Sequence, residues 1–471
     1  MTDPQHNLSL EEMDRQSVIH PFTHLKDYAS GGLGDPRIVQ SGSGVRITDQ
    51  KGRTYIDSFA GLYCVNVGYG RTEIAEAIYE QAKKLAYYHA YAGHSNEPII
   101  RLSDYILRHA PDNMRRIYYG MSGSDANETQ AKIVWYYNNV RGLPQKKKII
   151  ARERGYHGGS VVSGSMTGLA VFHNAFDLPV AGIKHTSVPH YYWGAEAGES
   201  EREFSKRCAR ELEAMIQAEG PDTVAAFIGE PVLGTGGIIP PPEGYWEEIQ
   251  KVLEKYDILL IADEVVCGFG RIGTYFGSEY YGMKPDLMTV AKGLTSGYLP
   301  LSGAIVGEKV WKVLEEGSEK FGPFAHGYTY SAHPLGAAAA LANLAIVESE
   351  DLAGNARTTG AYLQERMQAV FADHPIVGEV RGVGLLAALE FVADKTGKQR
   401  FDASAKVGPR VAAACLERGL IARALPHGDI LGFAPPLVIG REDVDAVVDL
   451  TRQAVDAVTD QLAREGLLKA A

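Results

Sequence analysis

PDLMTVAKGLTSGYLP (Pro285–Pro300) contains an apolar run, Leu287 to Ala291, that reads as a buried strand ending in Lys292, with Gly293 immediately after it. An ammonium stripped of water and left unpaired is very costly, so lysines collect on solvated faces. A chain that carries one to the rim of a buried strand has a use for it there.

Two similar runs lie upstream. TVAAFIGEPV (Thr223–Val232) brings Glu230 to a strand end, and DILLIADEVV (Asp257–Val266) does the same for Asp263. Around them strands alternate with helices. RRIYYGM (Arg115–Met121) and KKIIARE (Lys147–Glu153) read as strands. DANETQAKIVWYYNNV (Asp125–Val140), EREFSKRCARELEAMIQAEG (Glu201–Gly220) and GYWEEIQKVLEKY (Gly244–Tyr256) read as helices. Such alternation predicts an α/β fold: parallel strands joined by crossover helices on both faces of the sheet. Further upstream, TEIAEAIYEQAKKLAYY (Thr72–Tyr88) has helical spacing, with Thr72 as the expected N-cap. Beyond about Ser331 the sequence is helix-rich, with short strands near VRGVGLLAALEF and GLIARAL. The expected division is an N-terminal segment (1–75), a large domain (76–330) and a small α+β domain (331–471), with the N-terminal segment joining the small one.

The 471 residues are enough for a deep core. Acidic residues outnumber basic ones, 58 to 47, for a net charge of -11. That argues against nucleic acid or an anionic membrane surface as a partner. The N-terminus, MTDPQHNLSLEEMDR, has no apolar stretch of the kind a signal peptide needs. The longest uncharged apolar run, Leu335 to Val347, is shorter than the ~20 residues that span a bilayer. Cys64, Cys208, Cys267 and Cys415 form no CxxC pair, a pattern suited to free thiols in a reducing cytoplasm and not to a metal cage. A cytoplasmic protein without metal is expected.

In an open α/β sheet, ligands gather at the carboxyl ends of the strands. If the three strands are neighbours, Glu230, Asp263 and Lys292 share one rim. GMSGSDANETQ (Gly120–Gln130) adds Gly and Ser at the start of a helix expected near Ser124. Bare N–H groups at a helix start make an anion site, although a plain cap by Ser124 or Asp125 would look the same. This stretch is neither a Walker loop nor a GxGxxG fingerprint. A ligand with a phosphate, a basic ring nitrogen and an aldehyde would use all four features, and pyridoxal 5′-phosphate (PLP) is such a ligand. The turn Ser122, Gly123 and Ser124 would take the phosphate, Lys292 would condense with the aldehyde, and Asp263 would keep the ring nitrogen protonated so that the ring can act as an electron sink. Tyr156, in GYHGGS, could stack on the ring, or could be an ordinary turn tyrosine. A PLP-free binding protein for a phosphorylated metabolite would carry the same rim.

The residues resemble a known family, the class III aminotransferases of PLP fold type I, and within it the ω-amino acid or amine:pyruvate branch. The matching stretches are GLYCVNVGYGR, SGSDANET, GYHG, GEPV, ADEVVCGFGR, AKGLTSGYLP, GYTYSAHPLG, RGVGLL and APPLVI. They run from about His20 to beyond Val438, nearly the whole chain. The resemblance implies that Lys292 is the lysine joined to the cofactor and Asp263 the partner of its ring nitrogen. It places Tyr156 and Val265 on the two ring faces, His157 beside them, and Glu230 near the ring hydroxyl. Gly123 and Ser124 match the phosphate turn. Tyr328 and Thr329 match residues that act across a subunit interface, which implies a homodimer or a dimer of dimers. On the substrate side, Arg423 matches an arginine that pairs with the keto-acid carboxylate and swings away for an uncharged amine. Its role suits a guanidinium; a solvated strand arginine is the alternative. Tyr63 stands where relatives often carry tryptophan, and Thr235 where a smaller residue is common. Phe22 and Tyr91 complete the expected amine pocket. The implied reaction is a ping-pong transfer from an amine or ω-amino acid to a keto acid, with pyruvate as the expected acceptor. An aminomutase or decarboxylase on the same fold is the rival within PLP enzymes.

Overall fold

The computed structural model describes residues 8–468. The first seven residues of the polar leader, and the last three of the chain, lie outside them. Strands are numbered β1 (Val39–Ser43), β2 (Arg46–Asp49), β3 (Thr54–Asp57), β4 (Met114–Gly120), β5 (Lys148–Arg152), β6 (Ile183–Thr186), β7 (Val224–Gly229), β8 (Leu259–Asp263), β9 (Leu287–Val290), β10 (Ser302–Gly307), β11 (Val377–Val383), β12 (Leu386–Phe391), β13 (Leu420–Ile421), β14 (Arg423–Ala424) and β15 (Ile430–Phe433).

The large sheet has the order β4-β10-β9-β8-β7-β5-β6. Strands β5 to β9 pair in parallel, whereas β10 runs antiparallel to both of its neighbours. Sequence reading missed β6 and β10. IKHT is short and polar, and SGAIVG is bracketed by glycines, so neither shows a clear apolar period. Every residue of β7, β8 and β9 is buried, as expected for strands covered on both faces. Alternation divides them between two cores. Phe227, Leu260 and Met288 face one core with helices Glu201–Glu219 and Tyr245–Lys255. Ala226, Ile228, Leu259, Ile261 and Leu287 face the other, with helix Gly123–Val140.

A second lobe draws on both ends of the chain. Strands β1, β2, β3 and β13 form one sheet, closed by parallel pairing of Ile56 with Leu420 and Asp57 with Ile421. Strands β11, β12, β15 and β14 form another. Helices Leu352–Phe371 and Arg441–Arg464 cover a shared core with Leu389, Leu431 and Val448. The stretch GLIARAL, read as one strand, is two: the chain leaves one sheet after Ile421 and enters the other at Arg423. Thr72 is the first residue of helix Thr72–Lys84 and not its cap; Arg71 occupies the cap position without a side-chain bond. Among the described residues no helix is long and apolar enough to cross a membrane.

Helix Pro334–Ser349 joins the two lobes. Ala337, Ala340 and Leu344 enter a large-sheet core, while Ala339, Ile346 and Val347 enter the core of the second lobe. Its fully buried Asn343 donates to the Gly293 and Leu294 carbonyls at 2.8 and 3.0 Å. The turn after β9 is thereby fixed from behind. Asn343→Leu strands these two buried carbonyls, each worth about 1–3 kcal/mol when left unpaired. The expected result is a clear fall in the denaturant midpoint, larger than that for the neighbouring exposed substitution Glu348→Gln.

Candidate active site

Because β8 lies between β7 and β9 with all three parallel, their carboxyl ends emerge side by side. A cavity of about 130 Å³ opens there, lined among others by Ser124, Tyr156, Glu230, Asp263, Val265 and Lys292. The three groups read from separate strands do share one rim.

Asp263, at the end of β8, is buried and held on both oxygens. Its Oδ1 accepts the Val265 N–H at 3.1 Å, and its Oδ2 accepts Asn127 Nδ2 at 2.9 Å and lies 2.8 Å from His157 Nδ1. Asn127 is fixed in turn: its Oδ1 accepts the Thr289 hydroxyl at 2.8 Å, and its Nδ2 also donates to the His157 carbonyl at 2.8 Å. The carboxylate therefore has one orientation. Sequence reading passed over Asn127 and Thr289, since a helix asparagine and a strand threonine carry no motif signal. Only the packing of helix Gly123–Val140 on the sheet brings them to Asp263.

Glu230, one residue beyond β7, accepts the Gly234 N–H on Oε1 at 3.0 Å and the Tyr156 N–H on Oε2 at 3.3 Å. Burial raises its pKa, opposed by the charges of His157 and Arg152. Lys292 sits in the left-handed region, φ 43°, a strained conformation for a side-chain-bearing residue. Desolvation holds its ammonium below the ordinary lysine range; Arg423 acts in the same sense, and Cys64, Asp263 and Glu230 act against it. Its Nζ lies 5.2 Å from the centroid of the Tyr63 ring. Tyr63 is only 2% exposed and its hydroxyl has no partner.

The helix start differs from expectation in one respect. Ser122, and neither Ser124 nor Asp125, is the cap: Ser122 Oγ accepts the Asp125 N–H, and the Asp125 side chain reaches back to the Ser122 N–H. The Gly123 and Ser124 N–H groups fall in the first turn, where a helix supplies them no partner. Ser124 Oγ accepts the Gly159 N–H at 3.1 Å. At Gly158 an added Cβ would lie 2.7 Å from Ser124 Oγ and 2.3 Å from Ser163 Oγ. Only glycine keeps this corner open.

Not every expected residue reaches the cavity. Thr235 is buried beside Gly234. Phe22 is 61% exposed and connects to Tyr156 only through Phe172, with ring centroids 4.9 and 5.2 Å apart. Tyr91 is exposed within an aromatic patch with His89 and His94. Tyr328 donates to the Asp125 carbonyl at 3.3 Å, and the Thr329 carbonyl accepts the Tyr87 hydroxyl at 2.6 Å, leaving Thr329 exposed. Arg423, in β14, is half-buried over the Phe59 ring at 5.6 Å. Among the described residues it forms no ion pair, and its charge acts on Tyr63, Tyr156 and Lys292.

Residues 29–455 match the family model for class-III aminotransferases. The chain belongs to that family. This aminotransferase is 64% identical over 464 residues to the diaminobutyrate–2-oxoglutarate transaminase of Halomonas elongata, covering 98% of this chain and 99% of that one. It is 43% identical to the putrescine–pyruvate aminotransferase of Pseudomonas aeruginosa, covering 95% of each. The solved ω-transaminase of Pseudomonas jessenii, in complex with PMP, superposes with a TM-score of 0.94 at 42% identity, over 97% of this chain and 99% of that one. The fold is therefore PLP fold type I, and the cofactor of this aminotransferase is pyridoxal 5′-phosphate. The residues fit that group. Two buried carboxylates and a desolvated lysine converge on one cavity, and a glycine-opened corner faces free helix N–H groups.

Asn127→Leu removes a hydrogen bond to the Asp263 carboxylate and leaves the Thr289 hydroxyl without its acceptor. A bond to a charged group is worth about 1.5–3 kcal/mol. The expected result is cofactor affinity weakened about 10- to 100-fold, read by equilibrium dialysis of the absorbing cofactor.

Proposed function

We propose that this aminotransferase moves an amino group from an amine or ω-amino acid to a keto acid, with pyruvate as acceptor, by a ping-pong mechanism. The observation that carries the reading is the Arg423 guanidinium, which forms no ion pair among the described residues and whose charge acts on Tyr156 and Lys292, two residues of the cavity that also holds Glu230 and Asp263. A guanidinium without an ion-pair partner is a ready receptor for the carboxylate of a keto acid. A single such guanidinium suits a monocarboxylate, hence pyruvate. The name of the Halomonas elongata relative favours 2-oxoglutarate as the second reading.

The cofactor, when bound, supplies an aldehyde for the amino group and a protonated ring that takes up electrons from the substrate carbon. Ser122, Gly123 and Ser124 would hold its phosphate, Tyr156 and Val265 its two faces, and His157 and Glu230 its edges. Asp263 would hold a proton on the ring nitrogen, and the Asn127 and Val265 bonds keep that carboxylate aimed. Lys292, desolvated and so able to be neutral, takes the proton from the carbon bearing nitrogen and returns it. On the substrate side, Tyr63 offers an unpartnered hydroxyl to a polar donor such as a diamine or ω-amino acid, with Thr235 and Phe22 farther out, beyond the cavity wall. Arg423 turns toward a carboxylate and away from an uncharged amine.

The working unit is a homodimer or larger assembly, in which Tyr91, Tyr328 and Thr329 act at a partner's cavity. Tyr91 and Thr329 are exposed beside Tyr87, Tyr88 and Tyr330 on one aromatic surface, with half-buried Tyr328 adjoining, which supports this. Four free cysteines suit a reducing cytoplasm.

Lys292→Ala is expected to abolish turnover of amine plus pyruvate, measured as alanine formed; substantial residual activity would end the assignment. Arg423→Leu should raise KM for pyruvate about tenfold or more while leaving KM for an uncharged amine within about twofold. Initial rates with pyruvate and 2-oxoglutarate in parallel decide the acceptor, and a kcat/KM higher for 2-oxoglutarate replaces pyruvate with the second reading.

A further inference from the structure

Beneath the cavity, on the side of the second lobe, lies a buried ionic chain that the proposed chemistry does not use. Arg154, 5% exposed, donates from Nε to the Gly236 carbonyl at 2.8 Å and from Nη1 to His190 Nδ1 at 3.0 Å. His190, 2% exposed, meets Glu379 Oε2 through Nε2 at 2.8 Å. Arg381 continues the chain from β11. Its Nη1 lies 2.7 Å from Glu379 and 2.8 Å from Glu390, while Nε donates to the Gly237 and Ile238 carbonyls at 3.1 and 3.0 Å. Donor atoms of His190, Glu379 and Glu390 lie within 4.8 Å of one another, a spacing compatible with a metal ion. The Arg381 guanidinium, however, already fills the cation's place between the two carboxylates.

Both ends of this chain close on the same loop. Three successive carbonyls, Gly236 to Ile238, are taken by Arg154 and Arg381. The loop is shut at its base by reciprocal Leu233 and Ile239 backbone bonds of 3.1 and 2.9 Å. It presses so tightly on Arg154 that a Cβ on Gly236 would sit 1.8 Å from the Arg154 carbonyl. The loop carries Thr235 and, through the Gly234 N–H, one oxygen of Glu230. Arg154 is two residues from Tyr156, whose N–H holds the other oxygen. The donor pattern is fixed as well. A guanidinium only donates, so His190 Nδ1 must accept and Nε2–H must donate to Glu379. Only a neutral imidazole can do both.

We propose that His190 is a positioning residue: the buried relay Arg154–His190–Glu379–Arg381 sets the loop bearing Thr235 and Glu230 against the cavity, tying the second lobe to the substrate side of the site. The proposal rests on the reading of Glu230 as a working wall of that cavity, with Thr235 carried on the loop that holds it. Protonating His190 sets an N–H against the Arg154 N–H and breaks the relay. Burial already holds His190 below the ordinary histidine range, and its charged neighbours are Arg154, Arg381, Glu379, Glu390, Arg400 and His427. The folded protein therefore resists the proton; between the folded value and about 6.5 the unfolded chain binds more protons, and stability falls as the pH drops through that window. Trp193 donates to Glu390 at 2.8 Å with Arg400 stacked on it at 3.8 Å, so its fluorescence reports on the cluster.

His190→Gln keeps one acceptor and one donor without a titrating group; His190→Leu keeps neither. Expected for His190→Leu is a loss of kcat/KM for the amine donor of about tenfold, carried by KM, with His190→Gln within about twofold of the parent. Expected in the holoenzyme and the cofactor-free protein alike is a fluorescence change below pH 6.5 that is absent in His190→Gln and in Trp193→Phe. Parent-like kinetics in His190→Leu, equal damage in His190→Gln, or a fluorescence titration persisting in His190→Gln each overturns the proposal. If His190→Leu does not fold, the fluorescence comparison of parent with His190→Gln decides alone. Failure of the underlying reading shows separately, as turnover surviving in Lys292→Ala.

Discussion

A lysine amine held short of water at the end of a buried strand, opposite a carboxylate that cannot turn, is the constraint around which this fold is arranged. Desolvation penalises the charged form of either group: it favours the neutral amine at Lys292 and costs a carboxylate charge at Asp263. The protein answers the second penalty with three donors, from Asn127, His157 and Val265, and leaves the first unanswered. Among the described residues Lys292 has no hydrogen-bonded carboxylate of its own, and it is placed over an aromatic face. The difference in treatment is between a carboxylate pinned in one orientation and an amine kept short of water.

Holding that pair demands rigidity behind the rim. Lys292 takes a left-handed backbone conformation that a lysine does not choose for itself, and the turn keeps it because Asn343 grips the next two carbonyls. Helix Pro334–Ser349, which supplies Asn343, is anchored in two cores at once. Strain at the site is thus balanced by packing well away from it. The same pattern recurs at Glu230, whose two oxygens accept N–H groups of segments that Arg154, beside the large sheet, and Arg381, in the second lobe, hold in place. Buried ion pairs contribute little net stability, because desolvation offsets most of their attraction. Their value here is in geometry, since guanidinium forks accept few arrangements.

The second lobe is covalently two pieces made one by β3 pairing with β13. Immediately after β13 the chain changes sheets, and Arg423 is the first residue on the new one. This short step between two sheets leaves Arg423 half-buried over the Phe59 ring, without an ion pair among the described residues.

From sequence alone the α/β alternation, the family, the cofactor and the three strand-end groups were legible, because each leaves a local trace: an apolar run ending in a charge, or a Gly/Ser turn before a helix. Short-range chemistry of that kind is written in consecutive residues. What only the tertiary structure decided were the relations between distant segments. Asn127 and Thr289 meet at Asp263, and Asn343 reaches the turn of Lys292. Arg154 and Arg381 close on one loop from opposite lobes. The reversed β10 and the split of GLIARAL between sheets likewise depend on which partner a strand finds, and pairing across hundreds of residues has no signature in the order of neighbours. Phe22, Tyr91, Tyr328 and Thr329 mark the same limit, for their motifs are clear in the sequence while their own chain leaves them outside the cavity's wall.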